Sequence, residues 1–203
     1  MDRIYKGEKK PKRRSLMKKR SGTGFNVIQF YKIMDKAFES MPAFKYARHN
    51  GLMDDPLQTK IMLAVTEVNG CEMCRVYHTQ HAQKIGLDEE EINTISSGFV
   101  IDLDDDTEAM LFGRRYAENG GSYSDEEWEQ LSKTYGEKKA LGILAATRMI
   151  MMGNALGIAA GNFWSRLKFK PVKGSLLANE VLILISCLPL MMVIGLKKWM
   201  KKA

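Results

Sequence analysis

The sequence predicts an all-α fold, and three observations carry that expectation. Apolar residues recur at three- and four-residue spacing through most of the chain, no segment alternates as a strand would, and capping or stopping residues separate the periodic runs. Phe30, Met34, Phe38 and Met41 form the first series, and Pro42 is expected to end that helix. Asp55 reads as an N-cap with Pro56 at the first helical position. Leu57, Ile61, Ala64, Val65 and Val68 then line one face until Asn69-Gly70 breaks the run. A third helix is expected from about Cys71 to Ile85, with Gly86 as its C′ residue. Asp88 with Glu91, and Ser124 with Glu127, have the spacing of capping boxes that open further helices. Thr107 to Glu118 is another helical stretch, closed by Asn119-Gly120-Gly121, and a long helix is expected over Glu137 to Ser165. No internal repeat is present.

At 203 residues the chain is long enough for one domain with a real core. Three regions are expected: a basic arm over 1–24, a helical domain over 25–170, and an apolar C-terminal helix over 171–203. The formal charge of +7 belongs to the arm, because residues 1–20 hold ten Lys or Arg against Asp2 and Glu8, a net of +8. The rest of the chain is therefore close to neutral. A solvated arm, a tether to anionic lipid and a nucleic-acid contact are the three readings of such a run. No recognition motif or aromatic-interleaved patch accompanies the charge, so no nucleic-acid partner is expected. No apolar run follows the basic residues, so no secretory signal peptide is expected, and three cysteines then point to a reducing, cytoplasmic location.

The tail differs from the rest. Val181 to Leu196 is sixteen residues without a charge, followed by Lys197, Lys198, Lys201 and Lys202 around Trp199. At 1.5 Å per residue this spans roughly 24 Å, short of a ~30 Å hydrocarbon core. Extending it back to Ser175 gives enough length but places Glu180 near one interface. Pro189 is tolerated in membrane helices, and Trp with Lys is an interfacial pattern. Residues 175–196 are thus a candidate membrane contact, anchoring the protein on the cytoplasmic side. A helix buried against a neighbouring subunit is the other reading. Cys187, inside the run, reads as a small hydrophobe.

The chemistry-bearing stretch is Glu67 to His81. Asn69-Gly70 stops one helix, so Cys71 falls at the start of the next, where unsatisfied N–H groups stabilise a thiolate. Cys74 lies three residues on and His78 four further, and both spacings put side chains on one helical face. Two thiols and an imidazole so placed outline a dithiol redox centre, in which His78 takes a thiol proton and one thiol condenses with a sulfenic acid on the other. A shared zinc is disfavoured, since Cys71 and His81 are about 15 Å apart along one helix. Covalent haem would need His in place of Arg75, and thioredoxin-like use would need an α/β pattern.

Val68-Asn-Gly-Cys71-x-x-Cys74-x-x-x-His78 resembles the central motif of the carboxymuconolactone decarboxylase and alkylhydroperoxidase D superfamily, in its dithiol branch. The resemblance runs from about Phe25 to Ser165, through Thr107–Glu118, the Ser124 segment and the helix holding Asn154 and Gly157. It implies an alkylhydroperoxidase D-like helical core, with Cys74 as the peroxidatic thiol, Cys71 as the resolving and more exposed thiol, and His78 in the proton relay. The superfamily's upstream glutamate corresponds here to Thr59, between Gln58 and Lys60. Glu67, one turn before Cys71, is either its substitute or a solvated residue. Met73 stands where the superfamily often has His or Tyr, and His81 reads as a surface histidine.

The function these residues imply is that of an enzyme, a thiol-dependent peroxidase or disulfide oxidoreductase. It would cycle Cys71 and Cys74 to reduce a hydroperoxide or an oxidised peroxiredoxin partner. A dithiol donor, such as a lipoyl group or a thioredoxin-like protein, would restore the thiols, and no metal, flavin or haem is implied. Homo-oligomers are expected by the same resemblance. The alternatives are a membrane-associated redox sensor without turnover, a carboxymuconolactone decarboxylase-like enzyme, and a structural module with inert thiols.

Overall fold

The axis of the fold is one 31-residue helix, Glu137–Leu167, rich in Ala and Gly so that neighbours approach it closely on several sides. The structure is a computed structural model that describes residues 24–97 and 106–200, without the side chains of 197–199. The charged residues of the basic arm lie outside the described residues. Eight helices make up the described part: α1 (Val27–His49), α2 (Asp55–Asn69), α3 (Glu72–Lys84), α4 (Glu89–Ser96), α5 (Thr107–Glu118), α6 (Asp125–Tyr135), α7 (Glu137–Leu167) and α8 (Leu177–Met200). The described residues contain no strand, so the all-α expectation holds.

α7 packs against α1, α2, α3, α5, α6 and α8. Its small residues make this possible. A Cβ on Gly142 would sit 2.6 Å from Ala47 Cβ, which leaves only glycine at the α1–α7 crossing. The main core gathers Leu57, Ile61 and Val65 of α2, Phe112 and Tyr116 of α5, and Ile143, Leu144 and Ile150 of α7. A second cluster joins Phe30 and Met34 of α1 to Ala155 and Ala159 of α7 and Ile183 and Ile194 of α8. Arg148 is buried among these helices, donating from Nε to Tyr116 Oη (3.2 Å) and from Nη1 to Ser40 Oγ (3.1 Å).

Pro42 does not end α1; the helix continues for seven more residues. An interior proline costs about 3 kcal/mol. Here it faces solvent, while the two turns beyond it bury Ala43 and Ala47 against α7, and tertiary packing overrides the local preference.

The N-cap of α2 is Asp54 rather than Asp55, since the Asp54 side chain accepts the Leu57 N–H at 2.9 Å and Pro56 falls at the second helical position. Asp55 instead pairs with Arg48 at the surface. Asp54→Ala should therefore cost about 1 kcal/mol in a denaturant titration, and Asp55→Ala less, as expected for an exposed ion pair.

Ser124 and Glu127 form the expected reciprocal capping box. Asp88 caps α4 alone, because Glu91 turns away to the buried Lys60 amine at 2.7 Å, which also holds Asp106 at 3.1 Å. Burial of a charged amine requires such partners, and that demand outweighs the second half of the box. α7 runs two residues past Ser165, to Leu167.

Candidate active site

Gly70 sets the position of the thiols. It adopts φ +68 and ψ +35, a left-handed conformation that favours glycine, and its N–H closes α2 on the Thr66 carbonyl at 2.8 Å. The chain reverses there and Cys71 becomes the N-cap of α3, its Sγ accepting the Cys74 N–H at 3.3 Å. A sulfur at the cap position takes one of the helix's otherwise unsatisfied donors. Cys71 and Cys74 are joined as a disulfide, with Cα atoms 5.3 Å apart.

α7 forms the back wall of the pair. A Cβ on Gly157 would lie 2.6 Å from both Cys71 Sγ and Cys74 Sγ, and the Gly153 carbonyl oxygen is 3.8 Å from Cys74 Sγ. The segment leading into the site is clamped to the same helix. Thr66 Oγ1 donates to Asn154 Oδ1 at 3.1 Å, and Asn69 Nδ2 contacts Met151 Sδ at 3.1 Å. On the open side lies a cavity of about 310 Å³ bordered by Glu67, Cys71, Glu72, Arg75 and Ser96. Arg75 is held by Glu72 through contacts of 2.6 and 2.7 Å, and that hydrogen bonding first, then the charge of Glu72 and last that of Glu67, raise its pKa above the ordinary value.

The four residues singled out in the sequence meet these surroundings differently. Glu67 is half-buried and borders the same cavity as Cys71. Thr59 is buried in α2, where the superfamily pattern has a glutamate. Cys71 is only 1 % exposed while Cys74 is half-buried, which reverses the expected order of exposure. The reason is tertiary: Cys71 sits in the notch between the end of α2 and α7, whereas Cys74 is already one turn into α3. His78 is 8 % exposed, with Tyr77 packed edge-on at 5.1 Å. Burial first, and the neighbouring His81 second, push the His78 pKa down to about 4, so the imidazole is neutral at pH 7 and holds an added proton only weakly. His81 is half-buried rather than a plain surface residue, and its ring stacks parallel to Tyr77.

Sequence reasoning did not give Gly153, Gly157, Asn154 or Arg75 a role at the thiols. Arg75 had a signal in its i,i+3 spacing to Glu72 on the same turn. Asn154 and Gly157 entered only through the order of elements in the resemblance, because the α7 residues lie some eighty positions away and no local spacing links them to the thiols.

No curated protein and no solved structure matches this chain. A match to a family does exist, and it starts within α1 and stops at the last residue of α5. Residues 35–118, which hold Glu67, Cys71, Cys74 and His78, match the carboxymuconolactone decarboxylase family, and this supports a likeness of that stretch to the superfamily that also contains the alkylhydroperoxidase D-like proteins.

Proposed function

We propose that the protein is a thiol-dependent peroxidase or disulfide oxidoreductase that cycles Cys71 and Cys74. The observation that carries this reading is the disulfide at the start of α3, backed by a glycine that leaves room for both sulfurs. In the reduced protein a Cys74 thiolate attacks the distal oxygen of a hydroperoxide, giving a sulfenic acid and an alcohol. The Cys71 thiol then displaces water from that sulfenic acid and forms the disulfide. A dithiol donor, a lipoyl group or a thioredoxin-like protein, attacks the disulfide and leaves as a disulfide itself.

The unequal burial of the two cysteines supports an order for these steps, in which Cys74 meets peroxide and donor first. When the donor thiolate attacks Cys74, Cys71 departs as a thiolate, and the Cys74 N–H at 3.3 Å is already placed to stabilise it. Met73, Val76 and Tyr77, all exposed on α3, supply an apolar apron beside Cys74 of the kind a protein donor needs. The disulfide favours this redox chemistry over the decarboxylation in the matching family's name.

His78, a weak base at its lowered pKa, serves in this scheme as a relay that takes the Cys74 proton only in passing and hands it to the departing alkoxide. His78→Ala should slow peroxide oxidation of the thiols by roughly 10²-fold in a stopped-flow assay, the low end for a general base. If Glu67→Gln is impaired and His78→Ala is not, the carboxylate is the base. The lowered pKa also has a stability consequence. Between pH 6.5 and about 4 the unfolded chain binds a proton at His78 that the folded protein refuses. Stability is therefore full above pH 6.5 and falls as the pH drops toward 4, by up to ~1.4 kcal/mol per pH unit from this group. Denaturant midpoints across that window should flatten in His78→Ala.

A further inference from the structure

α8 carries two apolar stripes. The inner one, Glu180, Ile183, Cys187 and Ile194, faces α1 and α7, and it is docked at both ends: Ile183 and Ile194 are buried, and Glu180 is 1 % exposed with its carboxylate on Arg166 Nε at 3.0 Å. The outer stripe, Leu182, Ile185, Leu188, Met192 and Leu196, repeats at the same three- and four-residue spacing and is exposed along its whole length. An uncovered apolar stripe of this length on a folded domain marks an interaction surface.

The α7–α8 turn continues that surface and gives it a charge. Trp164, Leu167, Phe169, Leu176 and Leu177 are exposed there, together with Lys168, Lys170 and Lys173. Lys168 lies over the Trp164 ring at 5.3 Å. Phe169 is 97 % exposed and holds φ +56, a left-handed conformation at a helix C-terminus where glycine is normal. The described protein makes no use of that phenyl ring, so its strain is unrewarded within the chain. Aromatic rings with lysines beside an apolar stripe are the chemistry of a membrane interface.

We infer that α8 stays docked on the domain and lies in the plane of an anionic lipid surface, its outer stripe and the α7–α8 turn entering the headgroup boundary. This inference is independent of the thiol chemistry. The domain itself takes the place of the polar face that an in-plane helix ordinarily turns to water. Spanning the bilayer would require α8 to leave α7, stranding Arg166 from Glu180 and exposing the cluster around Phe30 and Ala159. A second copy of the chain suits the stripe less well than lipid does. From Trp164 onward the sequence has one acidic residue, the buried Glu180, with lysines at both ends of α8, so pairing two stripes in either direction brings lysine against lysine. Anionic headgroups complement both ends at once.

The full chain should bind vesicles of phosphatidylcholine mixed with phosphatidylglycerol and bind those of phosphatidylcholine alone far more weakly. Changing Lys168, Lys170 and Lys173 together to Gln should weaken binding roughly hundredfold, and Ile185→Glu at least about tenfold, with Cys71–Cys74 oxidation unchanged in both. Topology is read with Ser175→Cys and Lys201→Cys, each in a chain whose three native cysteines are Ser, using a membrane-impermeant maleimide outside sealed vesicles. Labelling at both positions supports the in-plane helix. Protection of Lys201→Cys until detergent is added overturns it in favour of a spanning helix. A chain that ignores both vesicle types, and whose sedimenting mass falls on Ile185→Glu, overturns it in favour of a second copy.

Discussion

Treated with one equivalent of an organic hydroperoxide, the Cys71→Ser protein should carry a sulfenic acid on Cys74, trapped by a dimedone adduct and seen as a single mass increment. The wild type should instead lose two hydrogens and show the Cys71–Cys74 disulfide. Cys74→Ser should lose most of its peroxide consumption, because the cysteine left behind, Cys71, is 1 % exposed. That asymmetry gives the experiment its direction. If Cys71 is oxidised in Cys74→Ser as readily as Cys74 is in Cys71→Ser, the order of attack proposed here is reversed. If neither protein reacts, the redox assignment fails as a whole.

The second large effect belongs to a residue with no functional group. Gly157→Ala would push a methyl to 2.6 Å from each sulfur, against a helix that cannot retreat because Thr66 and Asn69 clamp α2 to Asn154 and Met151. Overpacking of this kind costs about 1–3 kcal/mol. In the dithiol state each sulfur can rotate away from the methyl, whereas the disulfide holds both in place, so most of the cost falls on the oxidised protein. The variant should become easier to reduce, read as a smaller oxidised fraction at a fixed glutathione ratio. Gly161→Ala, one turn along the same helix, is the control. Nothing lies within 4 Å of its added Cβ, and an interior helical Gly→Ala there should stabilise by about 0.5–1 kcal/mol. Equal effects at the two glycines would remove Gly157 from the site.

Much of the fold was readable from periodicity. The apolar face of α2, the extent of α5 from Thr107 to Glu118, the break at Asn69-Gly70 and the close of α3 at Gly86 all stand where the sequence placed them. Local rules failed where a distant partner competed with them. Pro42 was outweighed by the packing of Ala43 and Ala47 on α7, and Glu91 left its cap for the buried Lys60. At the start of α2 the cap fell on Asp54, one residue before the expected Asp55, because the Asp54 side chain is the one that reaches the Leu57 N–H.

The sequence by itself determined that two thiols and an imidazole share one helical face at the start of α3, because spacing along a helix dictates which side chains align. It also determined that α8 is apolar and flanked by lysines. Tertiary structure alone decided that Cys71 is the more buried of the two, since α7 packs against the pair through Gly157, more than eighty residues from the cysteines. It alone decided that His78 holds a proton less well than a free imidazole, because burial penalises the charged ring. And it alone decided what Glu180 does. A lone acid in an apolar run reads as an interface residue, but Arg166, brought beside it by the turn after α7, makes it the pin that holds α8 to the domain.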